Sequence, residues 1–355
     1  MDFSLSSDQE ELRELTKRIL ADRVTLERLV VVEAGNGFDR ELWKELADAG
    51  IVGINLPESV GGGGLGFVEA AIVLEQIGVY VAPVPALAVL AMAGPTLVET
   101  GALDALEGVA SGQRIVTVAL HEPLGDVREP VTFHDEDGLH GVKVLAPFGT
   151  MADAFIVSAL DGLYLVDAHG TGVEVIAQEA TNRLPEALVE LSGAPGRFLG
   201  GPDALERLIQ RGQAGQAMIA TGVCETALHM TAEYAKERVQ FERPIATFQA
   251  VSQRAADARI DTEAIRLTAW QAAVRLANGD DAAEQVATAK FWTAEGGQRV
   301  VHAAAHIHGG VGVVRDYPLH PYVLWAKHRE RVLGGATPSL RRLGRLLADT
   351  PVAAS

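Results

Sequence analysis

The spacing of apolar and polar positions divides the chain into a helical part, a β part and a second helical part. Near the N-terminus Leu12, Leu15 and Ile19 recur at helical intervals, whereas 115–120 is a short, continuous apolar run typical of a strand. Long helical patterns return after Pro202. We therefore predict an α+β multi-domain fold, with an N-terminal helical domain (1–110), a middle β domain (111–201) and a C-terminal four-helix bundle (202–355).

Local signals mark the first helices. Ser7 and Glu10 have the spacing of a capping box, which predicts the start of the first helix. Two further helices are predicted over 39–49 and 67–77, the second of them ended by Gly78.

Turn residues mark the connections in the rest of the chain. Two hairpin turns are predicted in the β part and three loops between the later helices. The hairpin turns lie at 135–138 and 160–162, and the loops at 242–244, 278–280 and 308–310.

One uncharged stretch, 79–98, is long enough to cross a bilayer. Pro83, Pro85 and Pro95 interrupt it, and proline is poorly tolerated inside a helix. The stretch is therefore predicted to be a buried helix–loop–helix rather than a membrane span.

Composition and charge narrow the possible partners. The net charge of −17 argues against nucleic acid and against an anionic membrane surface, since both require clustered Lys and Arg. Cys224 is the single cysteine, so an internal disulfide is impossible. The N-terminus has neither the basic nor the apolar region of a signal peptide. We expect a cytoplasmic protein.

The segment 238–249 contains several side chains that could bind a ligand. It is predicted to contain a helix end, a turn and a new helix start. Arg238 could pair with a phosphate, and Phe241, Phe248 and amide groups could hold a heterocycle. The residues alone are equally consistent with simple packing between helices.

Three motifs resemble the acyl-CoA dehydrogenase family. Residues 238–249 are similar to its signature Arg-x-x-Phe-Gly-x-Pro-Ile followed by Phe-Gln, with Glu242 in place of the usual Gly. Residues 306–312 resemble its Gln-x-x-Gly-Gly-x-Gly loop, with His306 at the Gln position. Leu56-Pro57-Glu58 and the glycines 61–64 match its N-terminal domain. Together these matches extend over nearly the whole chain.

The resemblance implies FAD as cofactor and an acyl-CoA thioester as substrate. In the family, these motifs clamp the ADP half of the FAD of a neighbouring subunit. The implied clamp residues are Arg238, Gln240, Phe241, Phe248, Gln249, His306, Gly309 and Gly310.

Two other interpretations of these motifs are weaker. Glycines 61–64 lack the Lys-Ser/Thr of a P-loop, so a flexible turn is expected. His302 and His306 have helical spacing, but no Glu-bearing zinc motif accompanies them, and no metal site is predicted.

The family's catalytic base is missing from this sequence. Counting without gaps from His306, the resemblance places Leu333 at the usual glutamate position. Counting back from Arg238, it places Gly212 at the position used by a minority of members. Glu330 and Glu206 are weak substitutes, each more typical of a surface carboxylate. No catalytic residue is therefore predicted.

The motifs that hold the flavin ring are also altered. His121 to Asp126 replaces Thr-Glu-Pro-x-x-Gly-Ser, and Val144-Leu145-Ala146 replaces Trp-Ile-Thr. A symmetric homo-oligomer needs both halves of the site in every chain. The resemblance is therefore to the non-catalytic subunits of heteromeric (α2β2) acyl-CoA dehydrogenases that act on steroid side chains, in which a sister subunit carries the glutamate. The alternatives are a homo-oligomer with a displaced base such as Glu330, or a catalytically dead acyl-CoA-binding scaffold.

Overall fold

The computed structural model describes residues 4–349. The chain divides into two compact units: the first comprises Met1–Leu74 and Ala82–Gly212, and the second comprises Glu75–Val81 and Gln213–Ser355. The helix–strand–helix order along the chain is the predicted one.

The first part of the chain is helical, as predicted. Its α-helices are α1 (Ser7–Arg23), α2 (Leu26–Ala34), α3 (Arg40–Asp48), α4 (Phe67–Tyr80) and α5 (Gly94–Glu99). The predicted capping box is wrong by one residue. Ser6 is the N-cap, accepting from the amide of Gln9, whose side chain accepts in return from the Ser6 amide. Ser7 already has helical geometry, so its hydroxyl cannot serve as the cap.

Helix α4 does not end at Gly78, contrary to the prediction, but continues to Tyr80. Gly78 lies where α4 passes close to a later helix. A Cβ at this position would be 2.0 Å from the carbonyl oxygen of Ile219. The glycine is therefore required by close backbone approach rather than by a helix end.

The uncharged stretch at 79–98 folds as a buried helix–loop–helix, as predicted. After α4 the chain turns at Val81, which has a φ of 47°, and a π-helical segment (Leu87–Ala93) leads directly into α5. Within residues 4–349 no helix combines the length and apolar character needed to cross a membrane.

The β part contains two four-stranded sheets, ordered β1-β4-β5-β8 and β2-β3-β7-β6. Both predicted hairpins are confirmed, as β2–β3 and β4–β5. Phe155, Val157 and Val189 lie in the shared apolar core. The strands are β1 (Val116–Ala119), β2 (Phe133–Asp135), β3 (Gly138–Pro147), β4 (Ala154–Ala159), β5 (Gly162–Asp167), β6 (Val173–Glu179), β7 (Pro185–Ala194) and β8 (Arg197–Gly200).

The last part of the chain is helical. Its elements change at the three predicted loop positions, but 243–244 form strand β10, and 308–310 are the end of a helix (α8, Ala283–His308) and the start of a 3-10 helix (Gly309–Val313). Ile265, Val300 and Cys224 belong to one of its cores, and burial raises the pKa of the Cys224 thiol to about 12, so it is an inert packing residue. The elements are α6 (Pro202–Glu237), β9 (Val239–Gln240), β10 (Arg243–Pro244), α7 (Gln249–Ala277), α8 (Ala283–His308), α9 (His320–Arg331) and α10 (Ala336–Asp349).

Candidate functional site: an exposed clamp and a missing base

A short hairpin follows the end of α6. Strands β9 and β10 pair antiparallel, with Gln240 opposite Arg243, and leave Phe241 and Glu242 as a two-residue turn. These two residues have φ values of 50° and 65°. Positive φ at both central positions defines a type I′ turn, which matches the twist of the paired strands.

The hairpin presents charged and aromatic groups to solvent. Arg238 is exposed, and its guanidinium has no hydrogen bond or ion pair with any residue in 4–349. Phe241 is 88% exposed and meets the Phe248 ring edge-to-face, with centroids 6.1 Å apart. The Arg243 guanidinium lies 4.3 Å from the centre of the Phe248 ring. A free guanidinium can bind a phosphate, and a solvent-exposed aromatic ring such as Phe241 can pack against a planar heterocycle.

Tyr234 and His308 bring the two sequence motifs together. Tyr234 lies one turn before Arg238, and its ring stacks on His308 with centroids 4.4 Å apart. Its hydroxyl also donates to the His308 carbonyl oxygen at 3.4 Å. The end of α6 is thereby held against the end of α8. Sequence reasoning assigned no role to either residue, although His308 lies within the recognised 306–312 motif and Tyr234 lies just before the 238–249 motif.

His308 is buried in the neutral form. Its Nδ1 lies 2.9 Å from the carbonyl oxygen of Ala304, so Nδ1 carries the hydrogen. Burial lowers the pKa of His308, although the bond to Ala304 opposes this shift. Tyr317 packs edge-to-face on the ring, with centroids 5.4 Å apart. His308 therefore acts as a neutral packing residue beneath the glycine loop.

The glycine loop after α8 leaves its backbone open. Gly309 has a φ of 65°, and a Cβ added to Gly309 or Gly310 would meet no atom within 4 Å. His306, at the family's Gln position, is exposed. Such open glycines let a ligand approach the main chain closely.

The start of α7 is the third exposed segment, after the hairpin and the glycine loop. Gln249 is its first residue, and no side chain caps this helix end. Uncapped amides and the helix dipole favour an anion here. The free guanidinium, the open glycines and the exposed rings are chemically suited to the ADP half of FAD.

Neither of the two positions at which the resemblance predicts a base has a carboxylate. Leu333 is 2% exposed and adopts a left-handed φ of 57°, and its carbonyl oxygen accepts from Gln213 at 2.7 Å. Gly212 lies within α6. A leucine cannot abstract a proton, so neither position provides a base.

The two substitute carboxylates are engaged in ion pairs. Glu330 lies on α9 and pairs with Lys327, with 16% of its side chain exposed. Glu206 pairs with Arg128 at 2.9 Å and also accepts from Gln210. These ion pairs occupy carboxylate oxygens of both residues, which is typical of a structural role.

Residues that the resemblance assigns to the flavin-ring motifs take part in a structural network within the β part. Glu122 is buried against Lys143, with 2.6 Å between Oε1 and Nζ, and it also accepts from the amides of Val131 and Thr132. Burial raises the pKa of Glu122, but these bonds outweigh burial and hold it below its usual value. Burial lowers the pKa of Lys143 to about 8, opposed by the Glu122 carboxylate. Glu122 therefore already has its partners within the β part of the chain.

A second buried lysine lies in the helical part. Lys290 of α8 is 0% exposed and donates to the Gln216 side-chain oxygen at 3.1 Å and to the Arg329 carbonyl oxygen at 2.6 Å. Burial and the neighbouring Arg329 lower its pKa to about 7, although Glu330 opposes them. Lys290 therefore binds the C-terminal end of α9, the helix that leads to Leu333.

No group of three or more His, Cys, Asp or Glu side chains in the described part of the chain is arranged to hold a metal ion. His302 and His306 are both exposed.

Two family models match the chain. The N-terminal domain of acyl-CoA dehydrogenases matches residues 6–104, and the C-terminal domain of acyl-CoA dehydrogenases matches residues 200–344. The second match includes the hairpin, the glycine loop and the Leu333 segment.

Individual proteins match over almost their full length. The acyl-CoA dehydrogenase FadE27 of Mycobacterium tuberculosis is 41% identical over 99% of this chain and 100% of its own length. A chain of the ChsE4-ChsE5 complex from the same organism is 40% identical, with a TM-score of 0.93 over 99% of this chain and 100% of that one. A chain of a Tcur3481-Tcur3483 steroid ACAD variant is 42% identical, with a TM-score of 0.92 over 98% of this chain and 99% of that one. The chain belongs to the acyl-CoA dehydrogenase family.

Proposed function

We propose that this chain is the non-catalytic subunit of a heteromeric, FAD-dependent acyl-CoA dehydrogenase. It would contribute the ADP clamp to FAD whose ring is held by a catalytic sister subunit. The observation that carries the proposal is the coexistence of an exposed clamp around Arg238 with a buried leucine at the base position. The two similar complexes, one of them described as a steroid ACAD, support a steroid-derived acyl-CoA as the substrate class.

The chemistry divides between the two subunits. Bound FAD would accept the hydride from the β-carbon of the thioester, while a carboxylate of the sister subunit removes the α-proton. Arg238 would neutralise the pyrophosphate, and the amides near Gly309 and Gly310 would approach it without steric hindrance. Phe241 and Phe248 would pack against the adenosine portion. We also propose a cytoplasmic location, because Cys224 is the single cysteine and is buried as a thiol.

The flavin spectrum tests this assignment. The chain purified alone should be nearly colourless, and co-expression with the acyl-CoA dehydrogenase encoded beside it in the genome should yield a yellow, active heteromer. A yellow, active homo-oligomer of this chain alone would instead establish the displaced-base alternative. Absence of colour in both preparations would favour the acyl-CoA-binding scaffold.

Arg238 provides the sharpest single-residue test. Arg238→Ala should lower flavin content per heteromer, because removal of one partner of a buried charge pair costs about 2–5 kcal/mol. Arg238→Lys should restore it only in part, since an ammonium keeps the charge but loses the two-pronged geometry. Circular dichroism should remain unchanged, because the side chain is exposed at a helix end. Equal flavin content in wild type and both variants would refute the clamp assignment.

A further inference from the structure

The two halves of the proposed clamp lie at the ends of two different helices. Arg238 is the first residue after α6, and its amide donates to the carbonyl oxygen of Tyr234 at 2.8 Å. Gly309 is the first residue after α8. Helix ends open more readily than helix interiors. A contact between the two ends is therefore needed to fix the distance between Arg238 and the glycine loop.

A pair of stacked rings supplies this contact. The rings of Tyr234 and His308 have centroids 4.4 Å apart and an angle of 22° between their planes. The Tyr234 hydroxyl donates to the His308 carbonyl oxygen over the longer distance of 3.4 Å, which makes this hydrogen bond weak. The rings, rather than the hydroxyl group, therefore provide most of the contact between the two helix ends.

The imidazole of His308 is itself fixed to α8. The side chain is buried, and its Nδ1 is hydrogen-bonded to the carbonyl oxygen of Ala304 at 2.9 Å. Its Nε2 is also buried and has no hydrogen-bond partner among residues 4–349. The position of the ring is therefore set by α8, and Tyr234 places the end of α6 against it.

Tyr234 lies at the margin of the helical part rather than in its nearest apolar core. Tyr317 and Tyr322 pack against the buried cluster around Leu319, whereas Tyr234 does not belong to that cluster. The Tyr234 side chain is half-buried. Its replacement should therefore loosen the link between the two helix ends more than it destabilises the fold.

We propose that Tyr234 is a positioning residue for FAD: through the ring of His308 it holds Arg238 at the distance from Gly309 and Gly310 that lets both meet the same pyrophosphate. This inference rests on the proposed function and adds to it a residue that acts through Arg238 rather than on the cofactor. Groups that are already in position lose less entropy when a ligand binds to them. FAD affinity should therefore depend on Tyr234 only while Arg238 is present.

Three single variants separate positioning from stability. Tyr234→Leu removes the ring, whereas Tyr234→Phe keeps the ring and removes the hydroxyl group. Tyr322→Leu is the matched control, because Tyr322 is also half-buried and donates its hydroxyl to a backbone carbonyl oxygen, that of Val79, at 2.9 Å. Each variant is co-expressed with the sister chain and freed of flavin. The dissociation constant of added FAD is then measured from the change in flavin fluorescence, and the thermal midpoint of the heteromer reports stability.

Tyr234→Leu should weaken FAD binding by roughly two- to ten-fold, which corresponds to the loss of one aromatic pair. Tyr234→Phe should bind FAD as wild type does, because the ring remains. Tyr322→Leu should lower the thermal midpoint without changing FAD affinity. In the Arg238→Ala background, Tyr234→Leu should have little further effect, because there is no guanidinium left to position. The double-mutant cycle measures this coupling.

Additive effects of Arg238→Ala and Tyr234→Leu would overturn the proposal, as would wild-type FAD affinity of Tyr234→Leu or an equal loss of affinity in Tyr322→Leu. If Tyr234→Leu does not assemble with the sister chain, His308→Leu removes the same ring pair from α8 and takes its place in the cycle. Failure of both variants to assemble would show that the fold itself requires the stack, and the proposal would be wrong. Wild-type FAD affinity of Arg238→Ala would instead refute the clamp, and with it the proposed function.

Discussion

Two buried lysines show how one residue type behaves in different surroundings. Lys143 has a carboxylate partner in Glu122, whereas the hydrogen-bond partners of Lys290 among residues 4–349 are two neutral oxygens, of the Gln216 side chain and the Arg329 carbonyl group. Burial therefore lowers the pKa further for Lys290, to about 7, than for Lys143, to about 8. A buried ammonium without a carboxylate partner costs folding free energy, and this cost disappears when the amine is neutral.

The stability of the protein should consequently depend on the protonation of Lys290. Between pH 7 and about 10.5 the unfolded lysine retains its proton while the folded one has lost it. The unfolded state then binds more protons, so this residue contributes a free energy of unfolding that increases with pH, by at most about 1.4 kcal/mol per pH unit.

The measurement is the thermal midpoint of wild type and Lys290→Met across this pH range. The midpoint of wild type should rise relative to the midpoint of Lys290→Met as the pH increases. Lys143 titrates identically in both proteins, so its contribution cancels. Parallel curves would show that Lys290 stays charged in the folded protein.

At the scale of helices, close backbone contact explains glycines that look like helix ends. Gly78 lies inside α4 opposite the carbonyl oxygen of Ile219, and Gly222 meets the Glu75 carbonyl oxygen in the same way, with 2.2 Å to an added Cβ. The two helices can approach this closely only because neither position has a side chain. Tyr322 and Thr226 also bind the carbonyl oxygen of Val79 near this contact.

Gly78→Ala should therefore destabilise the protein by about 1–3 kcal/mol, because the added methyl group would contact rigid backbone. Gly344→Ala is the matched control. Gly344 also lies inside a helix, α10, but an added Cβ meets no atom within 4 Å. That substitution should stabilise the protein by about 0.5–1 kcal/mol through helix propensity. Urea unfolding of both variants tests the pair, and equal effects of the two alanines would contradict the packing explanation.

At the scale of the whole molecule, the proposed division of labour leaves no general base on this chain. Leu333, which the resemblance assigns to the usual base position, is buried, and Glu330, the nearest carboxylate along the sequence, is paired with Lys327. Catalysis in the assembled enzyme would then depend on the sister subunit.

Glu330→Gln should accordingly leave activity per bound flavin within a few-fold of wild type in the heteromer. Loss of a general base typically lowers the rate by 10²–10⁴-fold. Steady-state rates normalised to flavin content distinguish these results. A loss of a thousand-fold or more would transfer the base to this chain and support the displaced-base alternative.

Sequence alone predicted the main elements because apolar periodicity and turn residues are local signals. The β2–β3 and β4–β5 hairpins and the turn at 278–280 were predicted correctly, whereas the predicted loop at 242–244 forms part of the β9–β10 hairpin and the predicted loop at 308–310 is the end of α8 and the start of a 3-10 helix. The first helix start was displaced by one residue, since Ser6 and Ser7 are both good caps and only the backbone geometry of Ser6 distinguishes them. Gly78 was assigned to a helix end because its sequence neighbours give no sign of Ile219, which is 141 residues further along the chain.

The sequence by itself determined the family and the order of the elements, because these follow from residue identity and local pattern. Tertiary structure decided which side chains have partners. Arg238 and Glu242 are exposed, and Glu122 forms an ion pair with Lys143. Tyr234 contacts His308, which lies 74 residues further along the sequence. Whether two side chains form a hydrogen bond, an ion pair or a ring contact depends on their burial and on the distance between residues that are remote in sequence. No local sequence pattern encodes either quantity.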